Sequence, residues 1–294
     1  MKIAVFNDNR LGVIQRDQVF DVSHSVLWDR EHVQESLVNL MTHYDECKAK
    51  MEAALSSADS YPFSEVKLQA PVPKPSKILA APVNYLNHQS EMQAKFNNAP
   101  FTIEKLGLFL KAPSSIIGPG ETILLPFKDR RHDHEAELGF VIGKEAKNVK
   151  ASDAHQYIFG YFALMDITVR GSEERTWRKS YDTFTPIGPW IVTSDEIEDP
   201  HQLQMDLWVN EELRQSTNIQ AIIWDCFKCL EEASHAMTLY PGDIIATGTP
   251  EGVGPITKGD QVRIQIEKIG EFSVNVDFRE DTEHKAEDKD EVKQ

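Results

Sequence analysis

The chain has 294 residues, 40% hydrophobic and 27% charged, with a formal net charge of −16. That length and balance provide a sizeable core in one large or two unequal domains, and the negative charge argues against a nucleic-acid backbone or an anionic membrane as partner. No apolar stretch is long enough to span a bilayer, and the segment from Met1 to Asp8 turns polar too soon for a signal peptide, so a cytoplasmic location is expected. In such a compartment Cys47, Cys226 and Cys229 are expected as reduced thiols.

Residues 1 to about 22 alternate apolar and polar around Asn7-Asp8-Asn9, the pattern of a hairpin. From Ser25 to Ala58 the pattern becomes helical, with Val33, Leu37, Leu40, Met41 and Tyr44 near a 3.6-residue period. Pro71, Pro73 and Pro75 then end regular structure and predict a linker near 70–76, closing a small N-terminal α/β domain of residues 1–70. Short apolar runs separated by Gly118-Pro119-Gly120, Pro186-Ile187-Gly188-Pro189 and Pro241-Gly242-Asp243 follow. They predict a mainly β domain over 77–278, and hence an α+β chain dominated by strands. Cys226 and Cys229 have the spacing of a zinc knuckle, but no second pair follows and Ile222–Met237 reads as a helix, so both are expected as plain thiols. Residues 279–294 mix acids and lysines with almost no apolar residue and are expected to be disordered.

Three acids stand out on apolar strands. In the run Glu135-Ala136-Glu137-Leu138-Gly139-Phe140 the two glutamates, two residues apart, point to one strand face. The run from Tyr157 to Thr168 reads as a second buried strand interrupted by one acid, Asp166. Buried carboxylates repel one another unless a cation neutralises them. Oxygen ligands suit Mg²⁺ or Mn²⁺, with Ca²⁺ as a third candidate, rather than Zn²⁺. The competing reading is a glutamate pair on a solvated face with Asp166 in a salt bridge. His132, Asp133 and His134 stay outside the expected ligand set, because adjacent side chains diverge along a strand. Upstream, Asn87 is expected to cap a short helix starting at His88, on which Glu91 stands three residues further on. At that spacing the carboxylate can hold the imidazole by one nitrogen and leave the other to take a proton from water. An incidental pair on a solvated helix face is the plainer alternative.

Taken together, these segments resemble the fumarylacetoacetate hydrolase family over about Lys77 to Val276. Asn84-Tyr85 with His88 and Glu91-Met92 resembles its NY-x-x-H-x-x-E-M segment, and Phe109-Leu110-Lys111-Ala112-Pro113-Ser114-Ser115 the stretch after its lid. Glu135-Ala136-Glu137 resembles its metal-binding E-x-E, Asp166-Ile167-Thr168 its third ligand, and Thr247–Gly254 its TGTP-x-GVG loop. The resemblance implies a mixed β-roll or β-sandwich catalytic domain, a smaller N-terminal domain, a homodimer, and Mg²⁺ or Mn²⁺ held by Glu135, Glu137 and Asp166. It also implies that Lys179 faces developing negative charge, and that Tyr85, Lys111, Arg170 and Thr249 contact substrate. The chain departs from the usual D-x-T-A-R-D segment, with Val169 in place of its alanine and Gly171 in place of its second aspartate. That departure puts local substrate contacts in question.

The expected chemistry is hydrolysis of a carbon–carbon bond in a small 2-oxo or β-diketo acid of acylpyruvate or fumarylpyruvate type. His88, assisted by Glu91, deprotonates water, hydroxide attacks the distal carbonyl, and an enolate stabilised by the cation and Lys179 leaves. The same electron sink suits decarboxylation of an oxaloacetate-like acid, or isomerisation and hydration of unsaturated oxo diacids. A non-enzymatic protein that binds an oxo acid through its metal is the further alternative.

Overall fold

The computed structural model describes residues 1–87 and 102–280. His88 and Glu91, and the tail from 281 to 294, lie outside the described residues. The first strands are β1 (Lys2–Phe6), β2 (Arg10–Gln15) and β3 (Gln18–Asp21), an antiparallel meander that extends the predicted hairpin by one strand. Asn7, Asp8 and Asn9 all have positive φ, a conformation that Asn and Asp tolerate better than most residues, which is why the chain reverses there. The helical region divides into α1 (Val33–Thr42) and α2 (Tyr44–Ala54), with His43 in a non-helical conformation between them. Val33, Leu37, Leu40 and Met41 form the buried stripe of α1, as their period predicts. The short β4 (Ser60–Pro62) pairs with β3.

The prolines at 71, 73 and 75 interrupt regular structure as expected. Then come β5 (Ile78–Ala80), β6 (Phe109–Lys111), β7 (Ile116–Ile117), β8 (Thr122–Leu125), β9 (His132–His134), β10 (Ala136–Ile142), β11 (Ile158–Met165), β12 (Thr168–Val169) and β13 (Thr185–Thr193). After β14 (Gln204–Val209) and β15 (Glu212–Asn218), helix α3 (Cys226–Ala236) precedes β16 (Ile244–Ala246), β17 (Gly254–Ile256), β18 (Gln261–Ile266) and β19 (Gly270–Phe278). Helix α3 begins four residues later than predicted, because Ile222 bridges to Tyr85, the Ile223 and Trp224 N–H groups donate to Asn84, and Asp225 accepts from the Lys228 N–H as the helix cap. Cys226 and Cys229 are free, buried thiols on its inner face.

The strands form three open sheets. The largest has eleven strands in the order β4-β3-β2-β1-β13-β11-β10-β16-β5-β6, with β7 attached to β13. Residues 1–70 thus share a sheet with the rest, through the antiparallel pair β1–β13. A five-stranded sheet, β15-β14-β18-β19-β8, and a three-stranded one, β12-β9-β17, complete the fold. Strand β10 is buried along its whole length. Its Leu138, Phe140 and Ile142 join a cluster with Leu207, Ile264 and Val274 of the five-stranded sheet, while Val141 joins Phe162, Leu37 and Leu40 on the other side. Two covered faces explain why β10 reads as an almost continuous apolar run.

Strands β5 and β16 run parallel, and both lead from their carboxyl ends into segments singled out in the sequence, 81–87 and 247–249. Buried Asp243 ties this pair together: it accepts from Lys77 Nζ and Ser76 Oγ at 2.5 Å each and from the Tyr240 N–H at 2.7 Å. Bonds to a charged acceptor contribute roughly 1.5–3 kcal/mol. Asp243→Ala is therefore expected to cost at least that much in urea unfolding, and an unchanged midpoint would show that Asp243 does not brace the pair.

Candidate active site

Glu135, Glu137 and Asp166 converge, with one carboxylate oxygen of each lying within 4.8 Å of the other two. All three are buried, at 7%, 1% and 1% exposure, which rules out the solvated-face reading. Their placement follows from strand register. Ala136 pairs with Met165 and Glu137 with Leu164, so the start of β10 lies against the end of β11. Two details differ from the sequence expectation. Strand β11 ends at Met165, so Asp166 stands just beyond it rather than inside a continuous strand, and Glu135 just precedes β10. The Asp166 N–H donates to the Glu135 carbonyl at 2.8 Å, closing the gap between the two strand ends.

Two buried ammonium groups answer part of this charge. Lys179 Nζ donates to Glu135 Oε2 and to Asp166 Oδ2, each at 2.7 Å. Lys111 Nζ pairs with the other Asp166 oxygen and donates to the Phe184 carbonyl at 2.9 Å. Burial alone would raise the Asp166 carboxyl, but Lys111 and Lys179 outweigh it and hold the group below its usual value. Burial also disfavours the Lys179 ammonium, and Asp166 and Glu135 reverse that effect. Glu137 differs from both. Burial and then the Asp166 charge push it well above the usual carboxylate range; it pairs with no cation among the described residues, and it accepts from the Gly248 N–H, at 2.7 Å to Oε2. The donor set, three convergent carboxylates with one lacking a counter-charge, fits a hard divalent cation.

A second chain of charges crosses the same pocket. Fully buried Asp133 accepts from Arg131 Nε at 2.7 Å and from Arg170 Nε at 2.6 Å, and Arg170 Nη2 reaches Glu135 Oε1 at 3.4 Å. The role of Asp133 went unseen in the sequence: its two bonds from arginines make it the group that aims Arg170. The Gly171 departure also has a structural counterpart. A Cβ at Gly171 would lie 2.2 Å from both Arg130 Nη2 and Glu173 Oε2, so the Arg130–Glu173 ion pair fills the space a side chain would take.

The 247–249 loop is fixed from two directions. Buried Gln215 donates from Nε2 to Thr249 Oγ1 at 2.8 Å, and its Oε1 accepts the Ala136 N–H at 2.9 Å. The same Oε1 lies 3.2 Å from His134 Nδ1, which therefore carries that ring's proton. Asn84 donates to the Thr247 and Trp224 carbonyls at 2.8 Å each. Gly248 has φ +92°, and a Cβ there would meet Asn84 Cβ at 2.8 Å and the Ala81 carbonyl at 2.9 Å, so only glycine can turn its N–H toward Glu137 here.

Of the sequence-predicted substrate contacts, Thr249 and Arg170 line the pocket, together with Lys179. Lys111 is fully buried behind it, on Asp166. Tyr85 is buried in the core, where burial and then Glu137 raise its hydroxyl above the usual range. Leu86 and Asn87 are already helical, so Asn87 does not cap a helix at His88; its amide donates instead to Glu251 at 2.9 Å. Three other contributors were not read from the sequence: Gln215, Arg175 and Arg178, the last two also lining the pocket.

Against this geometry, the family model for the C-terminal domain of fumarylacetoacetate hydrolase matches residues 77–277. The chain belongs to the fumarylacetoacetate hydrolase family. It is 46% identical over 284 residues to a maleylpyruvate hydrolase of Aquipseudomonas alcaligenes, covering 94% of this chain and 99% of that one. A solved maleylpyruvate hydrolase of Sphingobium sp. SYK-6, in complex with manganese(II) and pyruvate, is 40% identical, with a TM-score of 0.85 over 95% of this chain and 100% of that one. The rat mitochondrial oxaloacetate tautomerase Fahd2a is 37% identical over 221 residues, covering 71% of this chain and 69% of its own length. Among the described residues no helix is long and apolar enough to cross a membrane.

The contrast between Glu137 and Asp166 yields a stability prediction. Glu137→Gln, which removes an uncompensated charge, is expected to raise the melting temperature of metal-free protein and to abolish the rise that Mn²⁺ causes. Asp166→Asn leaves buried Lys111 without a carboxylate and removes one of the two carboxylates that hold Lys179, and is expected to cost about 3–5 kcal/mol. Calorimetric melting with and without Mn²⁺ checks both, and equal destabilisation by the two variants would contradict this charge assignment.

Proposed function

We propose that this chain is a divalent-metal-dependent hydrolase that cleaves a carbon–carbon bond in a 2,4-dioxo acid of the acylpyruvate kind, with a maleylpyruvate-type acid as its substrate. The observation that carries this reading is the buried Glu135–Glu137–Asp166 cluster, whose Glu135 and Asp166 line one pocket with Lys179 and Arg170. Its relatives named maleylpyruvate hydrolases support the choice of acid, since they match nearly the full chain.

Glu135, Glu137 and Asp166 would hold Mg²⁺ or Mn²⁺, which supplies Lewis-acid polarisation of an oxo acid that chelates it. Arg170, aimed by Asp133, binds the substrate carboxylate as a fork of charged donors. His88, in the role that its resemblance to the family segment gives it and with Glu91 as its expected partner, would remove a proton from water, and the oxygen attacks the carbonyl distal to the pyruvyl half. The bond between that carbonyl carbon and the neighbouring methylene carbon then breaks. Its electron pair passes to the enolate of pyruvate, whose charge Lys179 stabilises from a site excluded from water. Protonation of the enolate carbon gives pyruvate, and the attacked carbonyl leaves as a second carboxylate. We further read the working form as a homodimer, which would cover Trp177 and Leu110, exposed at 68% and 43%.

A second reading is tautomerisation of an oxaloacetate-type acid, favoured by the similarity to the rat tautomerase. It uses the same electron sink without attack by water. Incubation of Mn²⁺-loaded protein with maleylpyruvate is expected to give pyruvate and maleate in equal amounts, and His88→Ala to lower kcat by about 10²–10⁴-fold. Interconversion of oxaloacetate tautomers with no pyruvate from maleylpyruvate would replace the hydrolytic reading with the second one.

A further inference from the structure

Two arginines of the pocket have no place in the chemistry so far. Arg175 and Arg178 stand at the two ends of the single-turn helix Arg175–Arg178, which runs directly into Lys179. Three residues apart, they are neighbours on one helix face. Both line the pocket that holds Glu135, Asp166, Arg170 and Lys179. The Arg175 guanidinium lies over the Phe109 ring, 5.5 Å from its centre, and Lys179 Nζ lies over the same ring at 5.7 Å. Arg178 Nη1 donates to Thr168 Oγ1 at 3.1 Å, two residues beyond Asp166.

Their lack of a counter-ion sets them apart. Arg170 and Lys179 each pair with a carboxylate, whereas neither Arg175 nor Arg178 has a carboxylate within 4.0 Å among the described residues. The acids next to them in sequence are engaged elsewhere: Glu173 chelates Arg130, and Glu174 accepts from the Thr176 N–H at 2.6 Å as the helix cap. Burial and then the adjacent Arg178 charge push the Arg175 guanidinium below its usual value, outweighing the opposing pull of Glu135, Glu174 and Asp166. Each guanidinium carries five donors, and Arg178 uses one of them on Thr168.

We infer that Arg175 and Arg178 form the subsite for a second carboxylate on the substrate, so that the enzyme selects oxo diacids over oxo acids with an apolar tail. This rests on the reading of the pocket as an oxo-acid site. Arg170 and Lys179 serve the pyruvyl half, and the 175/178 pair takes the carboxylate at the far end of a maleyl-type chain. The Phe109 ring, shared by Arg175 and Lys179, forms an apolar floor between the two halves.

The test compares maleylpyruvate with acetylpyruvate, which carries a methyl group in place of the distal acid, on the full Mn²⁺-loaded chain and its Arg175→Gln and Arg178→Gln variants. Each substitution is expected to lower kcat/KM for maleylpyruvate by about 10- to 100-fold, mainly through KM, the loss of one charge-assisted contact. The loss for acetylpyruvate is expected to be at least about tenfold smaller, and Arg175→Lys to recover part of the diacid preference. Equal losses on both acids, or none on either, would overturn the subsite. Should the wild type turn over neither acid, calorimetric binding of the same two acids still decides: tighter binding of the diacid that disappears in the variants keeps the subsite and discards the reaction, and equal binding discards the subsite.

Discussion

Asp166 is held between two buried ammonium groups, Lys111 on one oxygen and Lys179 on the other, and Lys179 in turn bridges to Glu135. Ions taken out of water cost several kcal/mol each, and mutual attraction repays this only when every partner is fixed and hydrogen-bonded. Lys111 meets that condition through the Phe184 carbonyl, and Glu135 through Arg170 as well as Lys179. Glu137 does not meet it, because it is fully enclosed and, among the described residues, accepts from a backbone N–H but pairs with no cation. The protein thus sustains one carboxylate whose charge the chain itself leaves uncompensated. In the proposed function a divalent cation would supply that compensation, with Lys179 beside it to face the charge of the substrate.

The scaffold holds these groups where loops alone would not. Antiparallel strands β10 and β11 bring Glu135, Glu137 and Asp166 to one end of a sheet buried on both faces. Gln215, from the second sheet, fixes the start of β10 and the Thr249 hydroxyl with a single amide. Asn84 and Gly248 lock the loop that turns an N–H toward Glu137. Polar groups that rely on packed, hydrogen-bonded supports stay within the tolerance that catalytic geometry requires.

Much of this was legible in the sequence, for local reasons. The period of two put Glu135 and Glu137 on one face, and a lone acid in an apolar run marked Asp166. The prolines after residue 70 and the run of glycine- and proline-bounded strands gave the mainly β character. What escaped was long-range. Gln215 reads as an ordinary polar residue of an alternating strand, and only the pairing of sheets shows that it faces His134 and Thr249. Asp133 read as a residue pointing away from the glutamates, yet it aims Arg170 because β9 and β12 pair residue 133 with 168. Arg175 and Arg178 resemble a basic surface turn until the fold sets them against Phe109 and Thr168. The end of β11 at Met165, one residue before the acid, likewise depends on tertiary pairing that a periodic pattern does not encode.

A polar cluster that costs stability is retained where it binds something, and in the proposed function the cation and the oxo acid would be the two halves of one charge balance. Electron paramagnetic resonance of Mn²⁺ in the full chain reads that balance directly. One tightly held Mn²⁺ per chain, with lines broadened on addition of pyruvate enriched in ¹⁷O at its carboxylate and keto oxygens, is the result predicted for a carboxylate-held cation that chelates an oxo acid. Mn²⁺ that remains freely hydrated, or lines unaffected by the labelled acid, would contradict it.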